Sequence, residues 1–344
     1  MKLSHEIITL RTKNPFIIAR GGSSEYRVVR VTLTAPDGAT GWGEAAPSKY
    51  YGETADTVVD VLPMLAHALE GTDGWSLEAS EHALARAIGF NGAARAAVSG
   101  ALHDLMGKRL GVPLYRLWGL DPAASPRTSF TIGIAPDEKT LRERVKDAAQ
   151  YPVLKIKLGS SWDERIVRIV REMEPKKVLR VDANAAWTPK SALRIIPALQ
   201  ELGVEFVEQP LPPRDLEGLR FVRERSALPI VADESCLVAS DIPRLAGVVD
   251  GINIKLAKCG GLREALRMIA TARAHDMLVM AGCMIESSLG ITAAAHFAPL
   301  LDCVDLDGAA LVANDPYVGA TIDGGVVKLP NGAGLGVELR QQGR

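Results

Sequence analysis

The stretch LKIKLG, residues 154–159, sets Lys155 and Lys157 on either side of Ile156 in an apolar surround. In a strand, side chains alternate faces, so the two ammonium groups point the same way. Side by side and turned inward, they repel unless other parts of the chain compensate. The compensation is found by reading outward from this run.

Short β-branched runs recur on both sides of it: SFTIGI, VLKIKLG, KVLRVDAN, VEFVEQP, LPIVADES, DGINIKLAK, MLVMAGCMIES and CVDLDG, beginning at about residue 127. Amphipathic stretches such as SALRIIPALQELG and LREALRMIATARAHD lie between several of them. Strands alternating with helices imply βαβ units and a parallel sheet, and eight of them imply a closed α/β barrel of the (β/α)8 type. The four cysteines, Cys236, Cys259, Cys283 and Cys303, fall in this part at steps of 23, 24 and 20 residues, about one unit each. They contain no C-x-x-C pair, which argues against a zinc site or a disulfide framework and for reduced thiols in the cytoplasm.

Upstream, the pattern is α+β. YRVVRVTLTAPDGATGWGEAAP, residues 26–47, reads as a hairpin around a Pro-Asp-Gly turn. Helical patterns follow around 54–70 and 77–87, and an Ala-rich one from Gly92 to Leu110 is suited to close packing. From about Tyr317 the chain returns to short strands and turns. The expected organisation is an N-terminal α+β capping domain (1–120), a barrel domain (121–315) and a C-terminal segment (316–344) that returns to the cap.

The 344 residues are 47% hydrophobic and 24% charged, with a formal net charge of -1. That balance gives no reason to expect nucleic acid or an anionic membrane as partner. The N-terminus lacks the apolar core of a signal peptide, and no apolar run approaches membrane-span length. A homo-oligomer is compatible with this composition.

Barrel enzymes place their chemistry at the C-terminal ends of the strands. Here those ends carry Lys155 and Lys157 (strand two), Asp182 and Asn184 (three), Glu208 (four), Asp233 and Glu234 (five), Lys255 (six), Glu286 (seven), and Asp305 and Asp307 (eight). From Lys157 through Asp182, Glu208 and Asp233 to Lys255 the steps are 25, 26, 25 and 22 residues, which places these groups side by side around one ring. Any one carboxylate could be a salt-bridge partner that holds the barrel closed. Three on consecutive strands repel one another unless a cation sits among them. All-oxygen ligands favour a hard ion, with Mg²⁺ the usual choice.

Lys157 and Lys255 flank the carboxylates. A base on each face of a substrate α-carbon suits a 1,1-proton transfer that inverts the stereocentre through an enediolate. A lysine acts as a base only if its pKa is lowered, and a neighbouring positive charge lowers it. A Schiff-base lyase using either lysine is a different chemistry open to the same residues. A binding protein on a barrel scaffold has no need of two lysines poised across three acids.

In this order and spacing, K-x-K, D-x-N, E-Q-P, A-D-E-S, N-I-K-L and G-C-M-I-E-S resemble the enolase superfamily, and more narrowly its muconate-lactonizing subgroup. The resemblance spans essentially the whole chain, including G-W-G-E-A-x-P from Gly41 to Pro47. It implies one Mg²⁺ per subunit on Asp182, Glu208 and Asp233, with Lys157 and Lys255 as the acid/base pair. Lys155 is then the neighbour that tunes Lys157. The stretch VDLDGA, residues 304–309, resembles the dipeptide epimerases, in which such an Asp-x-Asp pair receives the peptide's free amino group. The other reading of it is that Asp307-Gly308 is a turn capped by the aspartate.

The resemblance thus implies a dipeptide substrate, most specifically L-Ala-D/L-Glu. Other dipeptides and N-acylamino acids are the alternatives within the family. FIIARGG, residues 16–22, resembles the specificity loop, where Arg20 could receive a glutamate side chain or simply lie on the surface. Tyr50 and Tyr51 are placed to help close the site. Asn184 and Glu286 complete the expected substrate-binding residues.

Overall fold

The computed structural model describes residues 1–341. β1 (Lys2–Ile18), β2 (Gly21–Thr34) and β3 (Thr40–Ala45) form an antiparallel sheet in that order. The hairpin expected around Pro-Asp-Gly is β2–β3. Gly38 takes φ 84° at its turn, a conformation that costs glycine little, and Asp37 accepts a hydrogen bond from the Ala39 amide at 3.0 Å. The long β1 was not expected. Of its residues only Leu10 is fully buried, so it shows no apolar alternation and owes its place to pairing with β2. The two-residue turn that joins them holds Ala19 and Arg20.

Three helices cover this sheet: α1 (Ala55–Ala68), α2 (Leu77–Ala87) and α3 (Gly92–Leu110). The close packing expected of α3 has a specific cause. A Cβ on Gly41 or Gly43 of β3 would collide with the carbonyls of Ala101 and Ala97, so glycine on the strand and alanine on the helix permit the approach together. Val29, Val31 and Leu33 of β2 and Leu62 and Leu65 of α1 fill the core beneath.

The eight expected strands are all present: β4 (Phe130–Ile132), β5 (Val153–Lys157), β6 (Val178–Asp182), β7 (Val204–Glu208), β8 (Ile230–Ala232), β9 (Gly251–Ile254), β10 (Leu278–Gly282) and β11 (Cys303–Asp305). They form one parallel sheet in sequence order. The ring is nearly closed by a parallel bridge from Thr128 to Val304, where the Ser129 amide donates to the Val304 carbonyl at 3.1 Å. Outer helices bury apolar stripes against it. Ile166, Val167, Ile169 and Val170 of the helix Asp163–Met173 are fully buried, each worth roughly 1.5–3 kcal/mol.

The final strands also follow expectation. Tyr317–Val318 pairs with Glu338–Leu339. This last segment lies against the end of α3, where the Leu335 amide donates to Asp104 at 2.8 Å and the Leu114 amide to the Gly334 carbonyl at 3.1 Å. Among the described residues, no helix is long and apolar enough to cross a membrane.

Candidate active site

At the C-terminal ends of β5, β6 and β7, Lys157 stands opposite Asp182 and Asp182 opposite Glu208, after a shift of register between Leu179 and Val181. Strand periodicity turns these side chains into the barrel, and all are buried. Together with Asp233, the acids bring one carboxylate oxygen each to within 4.8 Å of one another. Lys157 Nζ lies 2.6 Å from Asp182 Oδ2. On the far side, Lys255 Nζ lies 2.8 Å from Asp233 Oδ2.

Lys155 sits one step deeper than Lys157 on the same face. Its ammonium touches Glu208 at 2.7 Å, Asp305 at 2.8 Å and Asp182 at 3.4 Å. The inward lysine is therefore compensated by three acids drawn from three other strands.

Burial opposes charge on every group here, and the neighbours decide which groups keep it. Burial works against ionising Asp182, yet Lys157 and Lys155 outweigh it and hold the acid at about 2. Asp233 is likewise held well below the carboxylate range by Lys255 and Lys258 despite burial. Glu208 is pushed up to about 7 by burial and by Asp182. Burial favours neutral Lys155 and Lys255, but the carboxylates facing them outweigh it and raise both.

The acids fit a hard divalent cation. The donors are all oxygen, all three are buried, and Glu208 Oε2 is in ion-pair contact with Lys155 without hydrogen-bond geometry, leaving it without a hydrogen-bond donor.

Several supporting residues were not legible in advance. Lys258, three residues beyond Lys255 on the turn Leu256–Cys259, is completely buried. Its ammonium donates to Asp233 Oδ1 and to the carbonyls of Asp233, Cys236 and Asn253, which fixes that acid. Asn253 donates to Glu208 Oε1 at 2.7 Å. Gln209 accepts from the Asp233 amide at 2.9 Å and ties the loops after β7 and β8 together. The signal available for Lys258 was its helical spacing from Lys255, and for Gln209 its place in E-Q-P.

At strand eight, Asp305 accepts from Ser129 Oγ at 2.6 Å as well as from Lys155. Asp307 accepts from the Thr131 amide at 2.6 Å, and burial together with Asp305 pushes it up to about 7. Its side chain does not cap the short helix Gly308–Leu311 that follows, so the turn-capping reading is set aside. Glu286 stands apart. Among the described residues it forms no ion pair, and it accepts from the Met284 amide at 2.9 Å. A Cβ on Gly290 would lie 2.6 Å from Glu286 and 2.9 Å from Glu44, which places Glu286 at the seam with the cap. Asn184 donates weakly to Asp182 and Glu234, both at 3.3 Å.

The β1–β2 turn reaches over this mouth. Arg20 Nη1 lies 2.7 Å from Glu234 Oε1 and 2.9 Å from the Asn184 carbonyl, with its guanidinium 4.1 Å from the centre of the Tyr50 ring.

Residues 4–119 match the mandelate racemase / muconate lactonizing enzyme N-terminal domain, and residues 139–343 match the enolase C-terminal domain-like family. The chain belongs to the enolase superfamily. Two relatives within it are an L-Ala-D/L-amino acid epimerase of Maribacter sp. and an L-Ala-D/L-Glu epimerase of Bacteroides thetaiotaomicron. The first is 40% identical over 99% of this chain and 100% of its own. The second is 38% identical over 98% of this chain and 88% of its own. Among solved structures, the dipeptide epimerase from Enterococcus faecalis V583, complexed with Mg and the dipeptide L-Leu-L-Tyr, superposes with a TM-score of 0.93. It is 34% identical and covers 98% of each chain. This member of the superfamily thus shares its fold, almost end to end, with enzymes that act on dipeptides.

Proposed function

We propose that the chain is a Mg²⁺-dependent dipeptide epimerase that inverts the α-carbon of the C-terminal residue, with L-Ala-D/L-Glu as its first candidate substrate. The observation that carries this reading is the placement of Lys157 and Lys255 against opposite members of one acid triad. Asp182, Glu208 and Asp233 would hold one ion, which when bound supplies positive charge against the substrate carboxylate and its enediolate form.

The chain's own residues do the rest. One lysine, deprotonated, takes the α-proton from its face of the substrate; the other, as ammonium, returns a proton to the opposite face, and the configuration inverts. Lys155, anchored by three acids, is a fixed positive charge under Lys157. Asp307, together with Asp305, receives the substrate ammonium. Asp305 already answers Lys155, so Asp307 carries more of that contact. The edge of Arg20 that faces away from Glu234 receives a side-chain carboxylate. This chemistry uses a small peptide and has no role for nucleic acid or a membrane. Four cysteines that form no disulfide accord with a cytoplasmic enzyme, and a homo-oligomer is compatible with it.

The test is α-deuterium incorporation in D₂O across a dipeptide library, each member supplied with a free and with an N-acetylated amino terminus. Exchange should be confined to free-amine dipeptides, stop with EDTA and return with Mg²⁺. Asp307→Asn should raise KM for them by about tenfold, the size of a charge-assisted hydrogen bond. Exchange restricted to N-acylated substrates would show an N-acylamino acid racemase instead. Activity that survives EDTA, with borohydride trapping of a keto acid on a lysine, would show a Schiff-base lyase.

A further inference from the structure

Arg20 is a cation that the β1–β2 turn brings to the mouth of the barrel, yet it does not stand there as a free charge. Its Nη1 is spent on Glu234 and on the Asn184 carbonyl, and the Tyr50 ring covers its face. Among the described residues, Nε and Nη2 have no hydrogen-bond acceptor, and the side chain is 31% exposed, which leaves those donors free for a ligand. Glu234 is the opposite case. Its side chain is 0% exposed, its Oε1 meets Arg20 and Asn184, and its Oε2 has no hydrogen-bond partner among the described residues.

We propose that Glu234 is a specificity-determining residue: as the buried counter-ion of Arg20, it sets how strongly the site prefers an acidic over an isosteric neutral side chain at the C-terminal position of the dipeptide.

The physical argument concerns the sum of two charges. A substrate carboxylate at the open edge of the guanidinium is attracted by Arg20 and repelled, from slightly farther away, by Glu234. The pair therefore acts on it more as a dipole than as a cation. Hydrogen bonding from Nε and Nη2 remains available, and it serves a carboxamide oxygen nearly as well as a carboxylate. Glu234 and Asn184 also fix the guanidinium in place, which keeps the hydrogen-bonding edge oriented for either kind of side chain. The resulting site accepts a glutamate side chain but discriminates only modestly against glutamine. This deepens the epimerase reading and rests on it.

The experiment places L-Ala-L-Glu and L-Ala-L-Gln together in D₂O with one enzyme sample and follows α-deuterium in each by mass. The ratio of the two kcat/KM values then does not depend on how much enzyme is active or how much metal is bound. Glu234→Gln keeps an acceptor for Arg20 and removes the charge, and it should raise the Glu-to-Gln ratio by about fivefold to tenfold, the size of one partly exposed charge interaction. Arg20→Met should lower the ratio, and in that background Glu234→Gln should raise it by less, because without the guanidinium no group holds the substrate carboxylate near the acid. Glu234→Asp, which withdraws the charge from the guanidinium, should shift the ratio in the same direction by less and serves if the glutamine variant does not fold.

A ratio unchanged in Glu234→Gln, or changed equally with and without Arg20, overturns the proposal. If wild-type enzyme exchanges neither dipeptide, the L-Ala-D/L-Glu assignment is what fails. The ratio of calorimetric Kd values for the same two dipeptides, across the same variants, then decides the role of Glu234 by the same criteria.

Discussion

The floor and the mouth of one barrel are built from the same strands and are opposite in chemistry. The floor is Phe206, Val231, Met280 and Cys303, with the Arg180 guanidinium 5.3 Å from the centre of the Phe206 ring. The mouth is Lys155, Lys157, Asp182, Glu208, Asp233, Lys255 and Asp305, all buried. On three strands the two layers are two residues apart: Phe206 and Glu208, Val231 and Asp233, Cys303 and Asp305. The period of two keeps both on the inner face, so a single step along the strand leaves the stabilising layer and enters the reactive one. Floor residues gain by leaving water. Mouth residues lose by it and persist because their charges answer one another.

The contrast breaks most sharply at Lys255. Lys255→Ala should cut epimerisation by about 10²–10⁴-fold, the range of a general acid–base, and should abolish α-exchange from one substrate epimer more than from the other. The same change at Lys157 should spare the opposite epimer. Thermal unfolding of the Lys255 variant should move little, since Asp233 keeps the Lys258 ammonium. Equal, small losses from both variants would count against two bases, and a large fall in Tm would erase the distinction between layers.

Phe206→Ala probes the other side. It should cost about 3–5 kcal/mol in denaturant unfolding, while kcat per folded molecule stays near wild type. A comparable loss of kcat would mean that the floor also positions the mouth.

The smallest effect is expected at the seam between cap and barrel, where Glu44 of β3 accepts from the Ser287 amide at 2.9 Å and from its hydroxyl. Burial pushes Glu44 up to about 8 from an ordinary 4.5. A carboxyl raised on folding stabilises the fold fully below its unfolded value, and that contribution is lost as pH climbs through the folded one. Wild-type stability relative to Glu44→Gln should therefore fall steadily between pH 4.5 and about 8. A difference that is flat with pH would remove Glu44 as a titrating contact.

Much of this was legible in advance where the signal is local. The eight strands, the extent of α3 and the ring of charged strand ends follow from β-branched runs and from steps of 22 to 26 residues. β1 was missed because a strand held by pairing and exposed along most of its length leaves no apolar alternation. Lys258 was missed because its four acceptors come from Asp233, Cys236 and Asn253, whose approach is set by how β8 and β9 pack. Arg20 was seen, but not that its charge is already answered.

The sequence by itself determined the barrel, its order of strands and the list of ionisable groups at its mouth, because a period of two and a repeat of one βα unit are properties of the chain alone. Only the tertiary structure decided which charge answers which. Lys155 meets Asp305 across the closure of the ring, and Arg20 meets Glu234 from a hairpin more than two hundred residues away. The two inward lysines of LKIKLG are thereby separated in setting: Lys155 is held by three acids below the surface of the site, whereas among the described residues Lys157 pairs with Asp182 alone. Such pairings depend on distances of a few ångströms between segments remote in sequence, and only the folded chain brings those segments together.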